Sequence, residues 1–175
     1  MFANPDQTIA QLFLLEGMKV ADLGAGSGFY SKAASPKVGL TGHVYAVEVQ
    51  KDMVKKLESD LKEWGIKNVS CIWGDIEKVH GTKISDKSID AVILSNVLSQ
   101  VEDKLGLIDE AKRIMKESGS ILLVDWKEYP GKISSQANDS HRVLESTAEQ
   151  LFMKRGLKKV RSLDVSEQQY GIIFA

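Results

Sequence analysis

The chain has 175 residues, 43% of them hydrophobic and 27% charged, enough for a single core but not for a separate substrate-binding domain. A net charge of −1 argues against the basic stripe of a nucleic-acid enzyme. The one cysteine, Cys71, excludes an internal disulfide framework and a cysteine-built metal site, and no apolar run approaches the roughly 20 residues of a membrane span.

In chain order, residues 5–14 read as a short helix with Asn4 as N-cap and Pro5 at its first position. Ile9, Leu12 and Phe13 share one face of it, and Gly17 closes this N-terminal helical segment, 1–16. Residues 18–23 are a buried strand, 27–35 a helix ending near Pro36, and 42–49 a second strand. Residues 51–64 carry Met53 or Val54, Leu57, Leu61 and Trp64 at helical spacing, with Gly65 as a stop. Strands follow at 69–73, with Cys71 as a core thiol, and at 89–95, with 76–87 between them a loop holding at most a short helix. A helix over 105–116 turns Ile108, Ala111, Ile114 and Met115 inward, and a strand spans 120–126. Residues 129–141 are a long polar loop, 145–155 a helix, and 159–165 and 169–174 a closing strand pair. Alternating strands and helices predict a doubly wound, mostly parallel α/β sheet. The final pair, joined by a few residues, requires one antiparallel strand.

Val20-Ala21-Asp22-Leu23-Gly24-Ala25-Gly26-Ser27-Gly28 is the stretch that carries chemistry. A glycine-rich turn from strand to helix lets a ligand approach the backbone. Glu48, at the end of the second strand, is placed to accept hydrogen bonds from a ribose. Asp22 then discriminates between cofactors. A carboxylate beside the turn repels a dinucleotide's pyrophosphate by roughly 1 kcal/mol or more at 4 Å. It attracts the ammonium and sulfonium of S-adenosylmethionine. The expected cofactor is therefore S-adenosylmethionine and not NAD.

These segments, with Gly74-Asp75, residues 90–96 and residues 118–125, resemble the class I S-adenosylmethionine-dependent methyltransferases over nearly the whole chain. Within that superfamily, residues 92–98, 121–126 and 170–174 are similar to the ubiquinone/menaquinone-biosynthesis and arsenite methyltransferase group. The resemblance implies a single Rossmann-like domain over 1–175, with seven strands in the order 3-2-1-4-5-7-6 and strand 7 antiparallel. It also implies that Asp22, Gly24 and Gly26 hold the methionine part and that Glu48 binds the ribose. Val49 would flank the adenine, Asp75 would meet its amino group with Ile76 against the ring, and Ser95 and Asn96 would face the methionine part and the substrate.

Three departures bear on the substrate. Arsenite enzymes use several cysteines, so arsenite methylation is rejected. The His that many quinone-type enzymes carry after strand four is replaced by Ser99 and Gln100. The capping insert of larger relatives is absent, which leaves the 129–141 loop or the N-terminal helix to cover the site. No catalytic residue is singled out: His141, Tyr170 and Tyr30 are the candidate bases, Trp126 is core or pocket wall, and His43 and His80 have no assigned role. No metal is expected. The expectation is a cytoplasmic methyltransferase acting on a small molecule. The alternatives are an RNA or protein methyltransferase, for which residues 154–161 supply the one basic patch, or a cofactor-binding scaffold that needs a partner. Oligomeric state is not legible.

Overall fold

The computed structural model describes residues 3–127 and 142–175. Seven strands form one sheet: β1 (Lys19–Leu23), β2 (His43–Glu48), β3 (Val69–Trp73), β4 (Ile89–Ser95), β5 (Met115–Trp126), β6 (Lys159–Leu163) and β7 (Gln169–Phe174). Their spatial order is β3-β2-β1-β4-β5-β7-β6. Strands β1 to β5 pair in parallel, while β7 runs antiparallel to both β5 and β6. The helices are α1 (Pro5–Ala10), α2 (Phe29–Val38), α3 (Lys51–Glu63), α4 (Lys104–Ile114) and α5 (Glu145–Lys154). None of them is long and apolar enough to cross a membrane.

The central strands are covered on both faces, as parallel sheets require. Ala21, Leu23, Val92 and Leu94 point into one cluster, with α4, α5 and the stacked pair Phe152 and Phe174, whose ring centroids are 4.2 Å apart. Val20, Ala91, Ile93 and Leu122 point into the other, with α1 and α2. One face of β2 receives Leu57 and Leu61 of α3. A Cβ on Gly28 would lie 2.2 Å from Leu57 Cδ1, so glycine there lets the start of α2 close against α3.

Four local expectations are corrected. Helix α1 stops at Ala10 instead of residue 14, and Phe13, in the left-handed region at φ 53, turns outward to 70% exposure beneath the Arg161 guanidinium. Helix α2 does not end at Pro36 but continues to Val38. Met115 is not helical: its backbone is extended (φ −73, ψ 137) and pairs with Ile89, so β5 begins five residues before the predicted strand. Cys71 is half-buried, because β3 is an edge strand; burial still pushes its thiol up to about 11. The 129–141 loop and His141 lie outside the described residues.

The 76–87 segment is a loop, pinned from below by α4. Glu110, fully buried, accepts from His80 N (2.9 Å), Thr82 N (3.1 Å) and Thr82 Oγ1 (2.6 Å), and pairs with Arg113 at 2.7 Å. Burial alone would raise its carboxyl; the bonds from Arg113, Thr82 and the His80 N–H outweigh that and hold it at about 2.

Candidate active site

Parallel strands bring their carboxyl ends to one edge, where the loops diverge into a crevice. A cleft of about 880 Å³ lies there. All nine residues singled out from the sequence line it: Asp22, Gly24 and Gly26 after β1, Glu48 and Val49 after β2, Asp75 and Ile76 after β3, and Ser95 and Asn96 after β4.

Asp22 is 2% exposed and accepts from Ser31 Oγ at 2.7 Å. Burial pushes its carboxyl up to about 6, and the Glu48 charge adds to the rise. Among the described residues no cation pairs with it. Glu48 is held on both oxygens by the backbone: Gly26 N–H donates to Oε2 (3.1 Å) and Gln50 N–H to Oε1 (2.9 Å). These bonds fix the carboxylate at the rim while leaving lone pairs free. Gly26 has φ +52, and a Cβ built there meets nothing closer than the Gly24 carbonyl at 4.0 Å. The space a side chain would take is cleft. Val49 is 56% exposed, and its carbonyl is fixed by Trp73 Nε1 at 2.8 Å. Asp75 is held below the usual carboxylate range, first by its bond with Lys78.

On the other side of the cleft is a network that the sequence analysis missed. Asn96, at φ 54, ends β4. Its Oδ1 accepts from Gln169 Nε2 at 2.6 Å, and its carbonyl accepts from Gln100 Nε2 at 2.5 Å. Gln169, 2% exposed, also accepts from Ala3 N at 2.7 Å, which seats the N-terminal segment as a wall of the cleft. No local signal marks Gln169, since its partners lie 73 and 166 positions away. The antiparallel direction of β7 is what returns its first residue to this edge.

The candidate bases fare differently. Tyr30 lines the cleft; its hydroxyl is buried without a hydrogen-bond partner, and burial raises its pKa. The raised pKa favours the protonated phenol at neutral pH. Tyr170 donates to Val143 O at 3.0 Å inside the core, and burial raises it further. Trp126 is half-buried at the end of β5, with the Arg142 guanidinium 5.6 Å from its ring, and is outside the cleft lining. His43 bonds Ser70 at the opposite edge of the sheet. The basic patch also lies at that opposite edge, where β6 begins beside the end of β7. Lys159 there pairs with Glu149 and Glu145, and Arg155 with Asp109. Among the described residues no group of three His, Cys, Asp or Glu could hold a metal ion.

The strand order, the glycine turn after β1 and the acid closing β2 define a Rossmann-like methyltransferase fold. The sequence pattern of the methyltransferase domain family matches residues 14–169, and the chain belongs to that family. It is similar to the arsenite methyltransferase of Mus musculus, 34% identical over 136 residues, which are 74% of this chain and 36% of that protein. It is also similar to the ubiquinone/menaquinone biosynthesis C-methyltransferase UbiE of Pseudomonas savastanoi pv. phaseolicola, 27% identical over 71% of this chain and 48% of that protein. The chain thus spans between a third and a half of the length of these curated relatives. A crystal structure of a SAM-dependent methyltransferase from Aquifex aeolicus superposes with a TM-score of 0.88 at 25% identity, covering 99% of this chain and 89% of that one.

Proposed function

We propose that this chain binds S-adenosylmethionine across the ends of β1 to β4 and transfers its methyl group to a small molecule. The observation that carries this reading is the charge of the cleft. Four carboxylates, Asp22, Glu48, Asp75 and Glu77, line it, and none of the described lining residues is Lys, Arg or His. A pyrophosphate finds no counter-charge there, whereas a cationic nucleoside does. Asp22 is the sharpest test of fit. A buried carboxyl pushed up to about 6 with no cation beside it is relieved by a ligand ammonium. Glu48, braced by two backbone donors, suits a ribose diol, and the open face of Gly26 admits close approach of the methionine part.

When bound, the cofactor supplies an electrophilic methyl group on a sulfonium. This chain's residues then bind, align and exclude water. Ser95 and Asn96 close the floor beside the methionine part. Ala3 and Pro5 wall the opening. Tyr30 keeps its proton and can donate it in a hydrogen bond. The position of the basic patch at the far edge, with Arg155 and Lys159 in ion pairs, favours a small acceptor over nucleic acid, and the free Cys71 thiol fits a reducing, cytoplasmic setting. Titration calorimetry tests the reading: S-adenosylhomocysteine and S-adenosylmethionine bind and NAD does not. Binding of NAD with no response to S-adenosylhomocysteine would falsify it.

A further inference from the structure

The cleft has two chemically different ends. The β1–β3 end carries its four carboxylates, and among the described residues only Asp75 has a cation within ion-pair distance, the largely exposed Lys78. Among the described residues the lining of the β4–β7 end is uncharged. This end is lined by the amides of Asn96, Gln100 and Gln169, the hydroxyl-bearing Ser95 and Tyr30, and apolar Val97. The amides are already ordered by the Gln169–Asn96 and Gln100–Asn96 bonds, and each amide retains donor or acceptor capacity beyond those bonds. Among the described lining residues of this end no group can take a proton at neutral pH.

Resting on the function proposed above, we propose that this amide-lined end selects a methyl acceptor without negative charge, neutral or cationic, whose nucleophilic atom carries its lone pair without help from a protein base. An anionic acceptor meets no cation among the described lining residues of the subsite and faces the like charge of the carboxylates at the neighbouring end. A neutral or cationic acceptor meets amide donors and acceptors. The transfer balances without a base: the acceptor's lone pair forms the new bond to carbon, the electron pair of the broken carbon–sulfur bond stays on the departing thioether, and any acceptor proton goes to water.

The test uses thiol acceptors that carry an ammonium, a hydroxyl or a carboxylate, namely cysteamine, 2-mercaptoethanol and mercaptoacetate, with an aromatic series of the same three charges, and each rate is divided by that thiol's own thiolate fraction because the substituent also moves the thiol pKa. Thiols suit it because the neutral sulfur already carries a lone pair and, with a reference pKa of about 8.5, gives up its proton to water without a protein base. Ligand-observed NMR on protein saturated with S-adenosylhomocysteine reads binding, and methyl transfer from labelled S-adenosylmethionine reads turnover. The cationic and neutral members should bind and react at least about tenfold better than the carboxylates. Gln100→Lys, which brings a cation into the subsite, should narrow or reverse that ratio. Carboxylates bound as well as their partners, no member of either series bound, or a ratio untouched by Gln100→Lys each overturn the proposal. Failure of S-adenosylhomocysteine to bind is a separate result and overturns the cofactor reading instead.

Discussion

Asp22→Asn separates what the carboxylate costs the free protein from what it gives a ligand. Displacement of its carboxyl from 3.8 to about 6, burial and the Glu48 charge outweighing the Ser31 bonds, means that the site disfavours the charged form by roughly 3 kcal/mol. The sign follows from proton counting. Between those two values the native state holds a proton that the unfolded chain has released, so stability falls as pH rises through this window. Above it the whole penalty is present. Asparagine keeps an acceptor for the Ser31 hydroxyl and removes the charge. Ligand-free Asp22→Asn should therefore be more stable at pH 7.5 by up to about 2–3 kcal/mol in urea unfolding, yet bind S-adenosylmethionine roughly 1.5–3 kcal/mol more weakly. In the parent protein the affinity should rise with pH and level off above about 6, being roughly tenfold weaker at pH 5 than at the plateau. In the variant the profile should be flat across that range. The assay is calorimetry from pH 5 to 8 beside denaturant melts. A variant no more stable than the parent, binding equally well at every pH, refutes the reasoning.

Glu48→Ala should weaken S-adenosylhomocysteine binding by roughly 1.5–3 kcal/mol. It should also lower the melting point modestly, since the Gly26 and Gln50 N–H groups lose their acceptor; unchanged affinity with a lower melting point would make Glu48 purely structural. Gly26→Val places a branched side chain in the open face of the turn and forces it to φ +52, so binding should vanish at a stability cost of roughly 1–2 kcal/mol, read by calorimetry and a thermal melt. Glu110→Ala removes the acceptor of the His80 and Thr82 N–H groups and one of the two carboxylates on Arg113, which keeps Asp86 and the Ile84 carbonyl, and should cost roughly 1–3 kcal/mol in urea unfolding at pH 7. The parent's Glu110 contribution is present above the unfolded value of 4.5 and is lost as pH falls toward about 2, so acid titration of the parent should converge on the variant's stability.

That Asp22, Gly24, Gly26 and Glu48 line one cleft, where we propose the cofactor binds, was legible because the signals are local. Asp22, the glycines and Glu48 sit within one strand–turn–helix–strand unit, and their residue types are dictated by backbone conformation and charge. Alternation of elements was enough for a mostly parallel sheet and the short last connection for one antiparallel strand, whereas the strand order followed only from the family resemblance. What escaped were features set by contacts between distant segments. Gln169 is an ordinary polar residue until β7 reverses and delivers it to Asn96 and Ala3. Phe13 looked like core because helical spacing was extended past Ala10, where the chain leaves the helix. Met115 looked helical because its apolar side chain continues the α4 stripe, and only pairing with Ile89 makes it strand. The Glu110–Arg113 pair stands at helical spacing and carried a readable hint, but its buried hydrogen bonds to the 80–82 turn depend on how that loop folds over α4.

The reversal of β7 also decides how the protein should be handled at the bench. Ala3 lies in the wall of the cleft, bonded to Gln169, whereas Ala175 exchanges backbone bonds with Lys158 at the opposite edge of the sheet. A purification tag or surface linker attached ahead of Ala3 therefore crowds the ligand opening, and a reporter dye placed there should sense ligand entry. Immobilisation through Ala175 leaves the opening facing solution, which is the orientation to choose for a sensor chip or a resin-bound catalyst.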